Sequence, residues 1–195
     1  MQDTDLAVGG TTLDDHIQFT PGTSAGEIEV TVNGDSLGTF RPTGRLLAFG
    51  QAGDDDIQLS GNIELPAWLY GDGGNDRLKG GAGHDAIFGG EGDDLLSGKS
   101  GRDLLIGGLG ADRIIGNADD DILIAGNTAF DFDANRRLKA SHEHSLSDIM
   151  AEWTSDRDYA VRIVNLINGS GSDDRENGRT FLKYGGEDAT IFDDD

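Results

Sequence analysis

Seven aspartates stand in one register: Asp55, and then Asp76, Asp85, Asp94, Asp103, Asp112 and Asp121, the last six spaced nine residues apart. Carboxylates repeated in this way form a row of hard oxygen donors, and the chemistry open to such a row is the binding of a hard cation. Calcium accepts a flexible shell of six to eight oxygens, whereas magnesium demands stricter geometry and keeps its waters. The chain has no cysteine, and the loops that carry the aspartates contain one histidine, His84. That donor set disfavours zinc and copper.

The elements that position the aspartates are legible in the same register. Six units run unbroken from Gly71 to Ile124, GDGGNDRLK, GGAGHDAIF, GGEGDDLLS, GKSGRDLLI, GGLGADRII and GNADDDILI, and an earlier copy, GQAGDDDIQ, starts at Gly50. Each begins with glycine, carries Asp at its sixth place and Leu or Ile at its eighth: Ile57, Leu78, Ile87, Leu96, Leu105, Ile114 and Leu123. Glycines at places one, two and four permit positive φ and close backbone approach, so the first six residues read as a turn. The last three read as a short strand. Alternation along it points place eight to one face, and because that place is always aliphatic the face is expected to be the interior. Place five holds Asp54, Asn75, His84, Asp93, Arg102, Ala111 and Asp120, so no side chain there is an obligatory ligand.

This pattern resembles the hemolysin-type calcium-binding repeat of the RTX proteins, over Gly71 to Ile124 and again over Gly50 to Gln58. The resemblance implies a mainly β fold, a right-handed parallel β-roll in which two units make one turn of 18 residues and strands fall alternately into two sheets. Units beginning at Gly80, Gly98 and Gly116 should then share a sheet with apolar outward residues, Ala86, Phe88, Leu104, Ile106, Ile122 and Ile124. Units beginning at Gly71, Gly89 and Gly107 should show a mixed face of Arg77, Lys79, Leu95, Ser97, Arg113 and Ile115.

Stacked loops about 4.8 Å apart would bring aspartates of successive turns face to face, and two unit charges at that distance repel by about 3 kcal/mol at an effective dielectric near 20. A calcium ion between loops removes the repulsion. Carbonyls of the loop glycines Gly71, Gly74, Gly80, Gly83, Gly89, Gly92, Gly98, Gly101, Gly107 and Gly110 would complete its shell. The expected pairs are Asp76/Asp94, Asp94/Asp112, Asp85/Asp103 and Asp103/Asp121. A fifth, Asp55/Asp76, requires Leu59 to Tyr70 to absorb three extra residues, giving about four to five ions in all. Asp119 replaces the fourth-place glycine of the last unit.

The formal net charge of -22 argues against electrostatic binding to nucleic acid or anionic membranes and invites cations. With no cysteine, disulfides contribute nothing to stability. The N-terminus, MQDTDLAVGG, lacks the basic and apolar regions of a signal peptide, and no run of 18 apolar residues suggests a membrane span. The family resemblance implies extracellular localisation by type I secretion, directed by an uncleaved C-terminal region.

Outside the repeats, residues 1–49 form an N-terminal β segment: EIEVTVNGDSLGTF carries a hairpin signal at Asn33-Gly34, and LDDHIQF from Leu13 echoes GDDDIQL from Gly53 as a decayed repeat. Asp14 and Asp15 are candidate ligands there, though a strand is the better reading. The roll is assigned to 50–126 and a two-helix segment to 127–169. Leu138, Leu146, Ile149, Met150 and Trp153 recur at helical intervals; Ser155 to Asp158 has capping-box form before a second stripe of Tyr159, Ile163, Val164, Leu166 and Ile167, with Gly169 as a stop. The pair is expected to pack on the apolar sheet. Residues 170–195 form a β-prone tail.

His142-Glu143-His144 lacks the i, i+4 histidine spacing of a helical zinc site and reads as solvated surface. No nucleophile elbow or phosphate loop is present, so no active site is expected and the chain is not read as an enzyme. The expected function is a calcium-binding structural module of an exported protein. The alternatives are a calcium-rigidified adhesin or glycan-binding module, and the non-catalytic tail of a secreted hydrolase.

Overall fold

The computed structural model describes residues 4–126, 128, 140–168 and 182. The chain forms two compact units, Met1–Ala125 and Gly126–Asp195. The first is a β-solenoid whose short strands alternate between two sheets, because each nine-residue unit supplies one strand and its glycine-rich turn then carries the chain across to the other sheet.

One sheet contains β1 (Leu6–Gly9), β5 (Leu46–Ala52), β7 (Ala67–Gly73), β9 (Ala86–Glu91), β11 (Leu104–Leu109) and β13 (Ile122–Ile124), in that order. All its neighbours are parallel, with Leu104 level with Ala86 on one side and Ile122 on the other. The second sheet runs β12 (Arg113–Asn117), β10 (Leu95–Lys99), β8 (Arg77–Lys79), β6 (Asp56–Leu59), β2 (His16–Pro21), β3 (Ile28–Val32) and β4 (Asp35–Phe40). The alternation read from the sequence is therefore the observed one, at 18 residues per turn. Ala86, Phe88, Leu104 and Ile106 belong to one sheet and are buried, while Arg77 and Arg113 belong to the other and are exposed.

The N-terminal segment supplies the first coils. LDDHIQF does form a strand: β2 lies parallel to β6 with Ile17 level with Ile57 and Phe19 with Leu59. Beyond it β3 and β4 add an antiparallel hairpin. Its turn is Asn33-Gly34, with φ of 54° and 86°, the left-handed pair that a two-residue hairpin needs. The three extra residues between Gly50 and Gly71 sit in the link from β6 to β7. There Ile63 is buried in the interior and its carbonyl accepts the Ala82 N–H at 2.7 Å.

Place eight lines the interior as expected over five units: Ile57, Leu78, Ile87, Leu96 and Leu105 are fully buried. Each contributes about 1.5–3 kcal/mol of burial. The last two units differ. Ile114 is only partly buried and Leu123 is 49% exposed. Both lie on the terminal strands of their sheets, β12 and β13, so among the described residues no further coil of the solenoid closes over them.

The second unit contains α1 (Ala140–Trp153) and α2 (Tyr159–Asn168). Leu146, Ile149, Met150 and Trp153 of α1 are buried, as the helical spacing predicts. The cap of α2 is shifted from the expected one: the helix starts after Asp158, whose carbonyl accepts from the amides of Val161 and Arg162 at 3.0 and 3.1 Å. Inside the unit, buried Arg162 donates to the Trp153 carbonyl at 2.8 Å and lies over the Trp153 ring, and Asn165 donates to buried Glu152 at 2.8 Å. Leu138, Gly169 and most of 170–195 lie outside the described residues. Of the His142-Glu143-His144 run, the described side chain, His144, is exposed.

Candidate metal centre

The sixth-place aspartates form two ladders, one along each row of turns. In the first, the backbone N–H of Asp15 donates to Oδ1 of Asp55, that of Asp55 to Asp76, that of Asp76 to Asp94 and that of Asp94 to Asp112, at 2.7, 2.7, 2.7 and 2.9 Å. In the second, the N–H of Ala67 donates to Oδ1 of Asp85, that of Asp85 to Asp103 and that of Asp103 to Asp121, at 2.8, 2.8 and 3.0 Å. All five expected pairs are thus in direct register. The Asp55/Asp76 rung spans 21 residues and is no longer than the others. Asp119 adopts φ of 71°, the sign of φ taken by fourth-place glycines such as Gly110, so the last rung survives its substitution. Asn and Asp are among the few side chains that enter this region readily.

The pairing itself shows what sequence spacing did not reveal. Each aspartate is tied to its neighbour by a hydrogen bond, and one carboxylate oxygen is consumed by it. The second oxygen, Oδ2, of Asp55, Asp76, Asp94 and Asp103 is buried and receives no hydrogen bond. It points at the first glycine of its own unit. A Cβ added to Gly71 would collide with Asp76 Oδ2 and with the carbonyl oxygen of Gly89, the first residue of the next coil on that row. The same two oxygens converge on Gly89 (Asp94 Oδ2 and the Gly107 carbonyl), Gly50, Gly80, Gly98 and Gly107. First-place glycine is therefore required by lack of space and not by φ, while the fourth place takes positive φ at Gly53, Gly74, Gly92, Gly101 and Gly110, Gly83 being the exception.

A buried carboxylate oxygen without a donor is costly unless a cation meets it. The pKa values record that cost. Burial, opposed by the single amide hydrogen bond and reinforced by neighbouring aspartates, pushes Asp55 up to about 6, Asp76 and Asp94 to about 7 and Asp103 to about 8. Asp121 is raised for the same reasons. Asp85 reaches about 7 through burial alone, although Gly81 N–H donates to its Oδ2 at 2.8 Å. Among the described residues no three carboxylate or imidazole side chains converge on one point. A cation would draw one oxygen from each aspartate and the remainder from backbone carbonyls, a donor set that fits calcium.

Place five adds rungs of opposite sense to both rows. The N–H of Asp54 donates to Asp14 Oδ1, that of Asn75 to Asp54, that of Asp93 to Asn75 and that of Ala111 to Asp93, at 2.7–2.9 Å. Arg102 N–H donates to Nδ1 of His84 at 2.9 Å, so the neutral ring carries its proton on Nε2. Burial and the Arg102 charge hold the His84 pKa below its usual value. This place is structural. Arg102 and Ala111 are tolerated because only their backbone is used on that side.

The comparisons with known proteins settle what the repeated unit is. The family model of the RTX calcium-binding nonapeptide repeat, which spans four copies, matches residues 68–96 and 97–128. Residues 68–128 are RTX repeats. No curated protein and no solved structure matches the chain. RTX repeats bind calcium, and their glycines and aspartates here coincide with the residues that build the oxygen-lined cradles. Bound there, calcium supplies the positive charge that the stacked carboxylates lack. The RTX match leaves Asp15 and Asp55 outside its bounds, yet the structure places both on the same ladder as Asp76 and Asp94.

Proposed function

We propose that this chain is a calcium-dependent folding module of an exported protein, open where calcium is scarce and closed into a roll where it is plentiful. The observation that carries this reading is the row of buried, undonated Oδ2 atoms at Asp55, Asp76, Asp94 and Asp103. RTX repeats are typical of secreted proteins, which supports an extracellular setting, and no helix among the described residues is long and apolar enough to cross a membrane.

Magnitudes support a folding role over simple decoration. A site at a free calcium concentration a hundredfold above its Kd contributes about 2.7 kcal/mol, so four sites give about 11 kcal/mol. That equals the whole stability of an ordinary domain, about 5–15 kcal/mol. On this reading the roll itself performs no turnover, and the isolated chain is expected to be inert in hydrolase assays.

The test is calorimetric titration of the full chain with calcium, alongside far-UV circular dichroism with and without chelator. Wild type is expected to gain strand signal on titration, and Asp94→Ala and Asp103→Ala, each placed between two coils, to lose more than one ion apiece. Unchanged dichroism and melting temperature in chelator would sink the proposal.

A further inference from the structure

The acidic residues of the first coils are met by protein donors. Asp15 occupies the ladder position of Asp55 and Asp76, but its Oδ2 accepts from both the N–H and the hydroxyl of Thr11, at 2.5 and 2.8 Å, and its Oδ1 accepts from the Asn33 side-chain amide at 2.6 Å. Asn33 is held for this task by the hairpin turn, and its own Oδ1 accepts the His16 N–H at 2.8 Å. On the other row Asp5 accepts from the Arg45 backbone at 2.7 Å and from its guanidinium at 2.8 and 3.2 Å.

Two further observations point the same way. Val8, Ile17, Phe19, Ile28, Val30, Leu46, Ala48, Ile57 and Leu59, all before the six-unit array, make up more than half of the interior cluster. Here too the strands β2, β3 and β4 pair as antiparallel neighbours through short connections, which close at lower entropic cost than parallel coils.

We propose that residues 4–59 form a metal-independent cap, folded before calcium arrives, on which the repeat coils from Ala67 to Ile124 are laid down in order as their cradles fill. The proposal rests on the reading of the repeats as calcium sites, and adds a direction to their folding. Asp55 marks the junction: its Oδ1 takes the Asp15 N–H, but its Oδ2 has no donor.

Hydrogen exchange followed by mass spectrometry on the full chain, in chelator and in calcium, tests it. Amides of 16–40 are expected to be protected at least tenfold over an unfolded chain in both conditions, and amides of 86–124 only in calcium. Exposure of both regions in chelator, followed by joint protection in calcium, overturns the cap and leaves the calcium reading standing. Protection of 86–124 in chelator removes the calcium reading, and the directional proposal with it. Asn33→Gly keeps the left-handed turn but deletes the amide. It is expected to lower the protection of 16–40 in chelator about tenfold while leaving calcium stoichiometry unchanged. Thr11→Val, which keeps the backbone donor, is expected to act in the same direction by a smaller factor. Unchanged exchange in both variants refutes the role given to these donors.

Discussion

Asp15 and Asp94 occupy the same place in the same ladder, yet their carboxyls are driven in opposite directions, Asp94 up by burial and Asp15 down by its donors. Thr11 and Asn33 hold Asp15 ionised; around Asp94 a single amide, that of Asp76, answers one oxygen and nothing answers the other. What makes a cation site at Asp55, Asp76, Asp94 and Asp103 is burial of Oδ2 with its donors withheld; Asp15 also has a glycine, Gly10, against its Oδ2, but there Thr11 supplies both an amide and a hydroxyl.

The most direct way to break that comparison is to fill the cradle. In Gly89→Ala the new methyl would overlap Asp94 Oδ2 and the Gly107 carbonyl. A loss of about 3 kcal/mol in saturating calcium is expected, at the top of the range for overpacking, together with reduced calcium stoichiometry. At Gly10 the corresponding oxygens, Asp15 Oδ2 and the Gly50 carbonyl, stand 2.8 Å from where a Cβ would lie, so Gly10→Ala should cost less and leave the stoichiometry intact. Gly61→Ala meets nothing within 4 Å and serves as the control. Thermal melts and calorimetry of the three variants give the order; equal losses at Gly89 and Gly61 would refute the cradle.

A milder test uses protons in place of calcium. Carboxyls at about 6 to 8 in the folded repeats bind protons more tightly than in the unfolded chain, so the stability they confer is present at low pH and is lost as pH rises through the folded values. In chelator the repeat coils should lose stability from pH 5 to pH 8.5. Asp5 and Asp15, with lowered values, have the opposite sign: they stabilise above the ordinary carboxylate range and lose that contribution only as pH falls below it. In chelator, far-UV strand signal that is greater at pH 5 than at pH 8.5, with the difference reduced in Asp94→Asn, is the expected result. Strand signal that grows over that interval would contradict the assignment.

The roll is legible in the sequence because its signal is periodic. Gly, Asp and Leu or Ile at fixed places specify the strand alternation, the two sheets, and the rungs Asp76–Asp94 and Asp103–Asp121. The hairpin at Asn33-Gly34 is equally plain, and so is the strand from His16. What cannot be read is the second use of the same residues. Asn33 declares a turn in sequence, but its bond to Asp15 depends on β3 folding back beside β2, which places residues 18 apart in contact. The amide-to-carboxylate rungs and the reverse rungs through His84, Asn75 and Asp93 are likewise invisible, since spacing reports which loops stack and not which atoms meet. Leu123 is exposed where the register predicts interior, because position in the repeat does not tell a middle coil from a terminal one.

The smallest expected effect concerns the second place of the repeat, where the two regions behave alike. Gln51, Asp72, Lys99 and Asn117 all take positive φ, between 75° and 86°, where Gly90 and Gly108 do the same without strain. A left-handed conformation costs a non-glycine residue about 1–2 kcal/mol, and glycine returns part of that gain through its greater freedom in the unfolded chain. Lys99→Gly is thus expected to stabilise the roll by up to about 1 kcal/mol, read as a rise in melting temperature in calcium. Gln51→Gly should gain less than Lys99→Gly, because the Gln51 side chain donates to the Gly10 carbonyl and ties the turn to the first coil. A larger gain at Gln51 would show that this tie contributes nothing, and would narrow the difference drawn between the first coils and the repeats to the donors around Asp5 and Asp15.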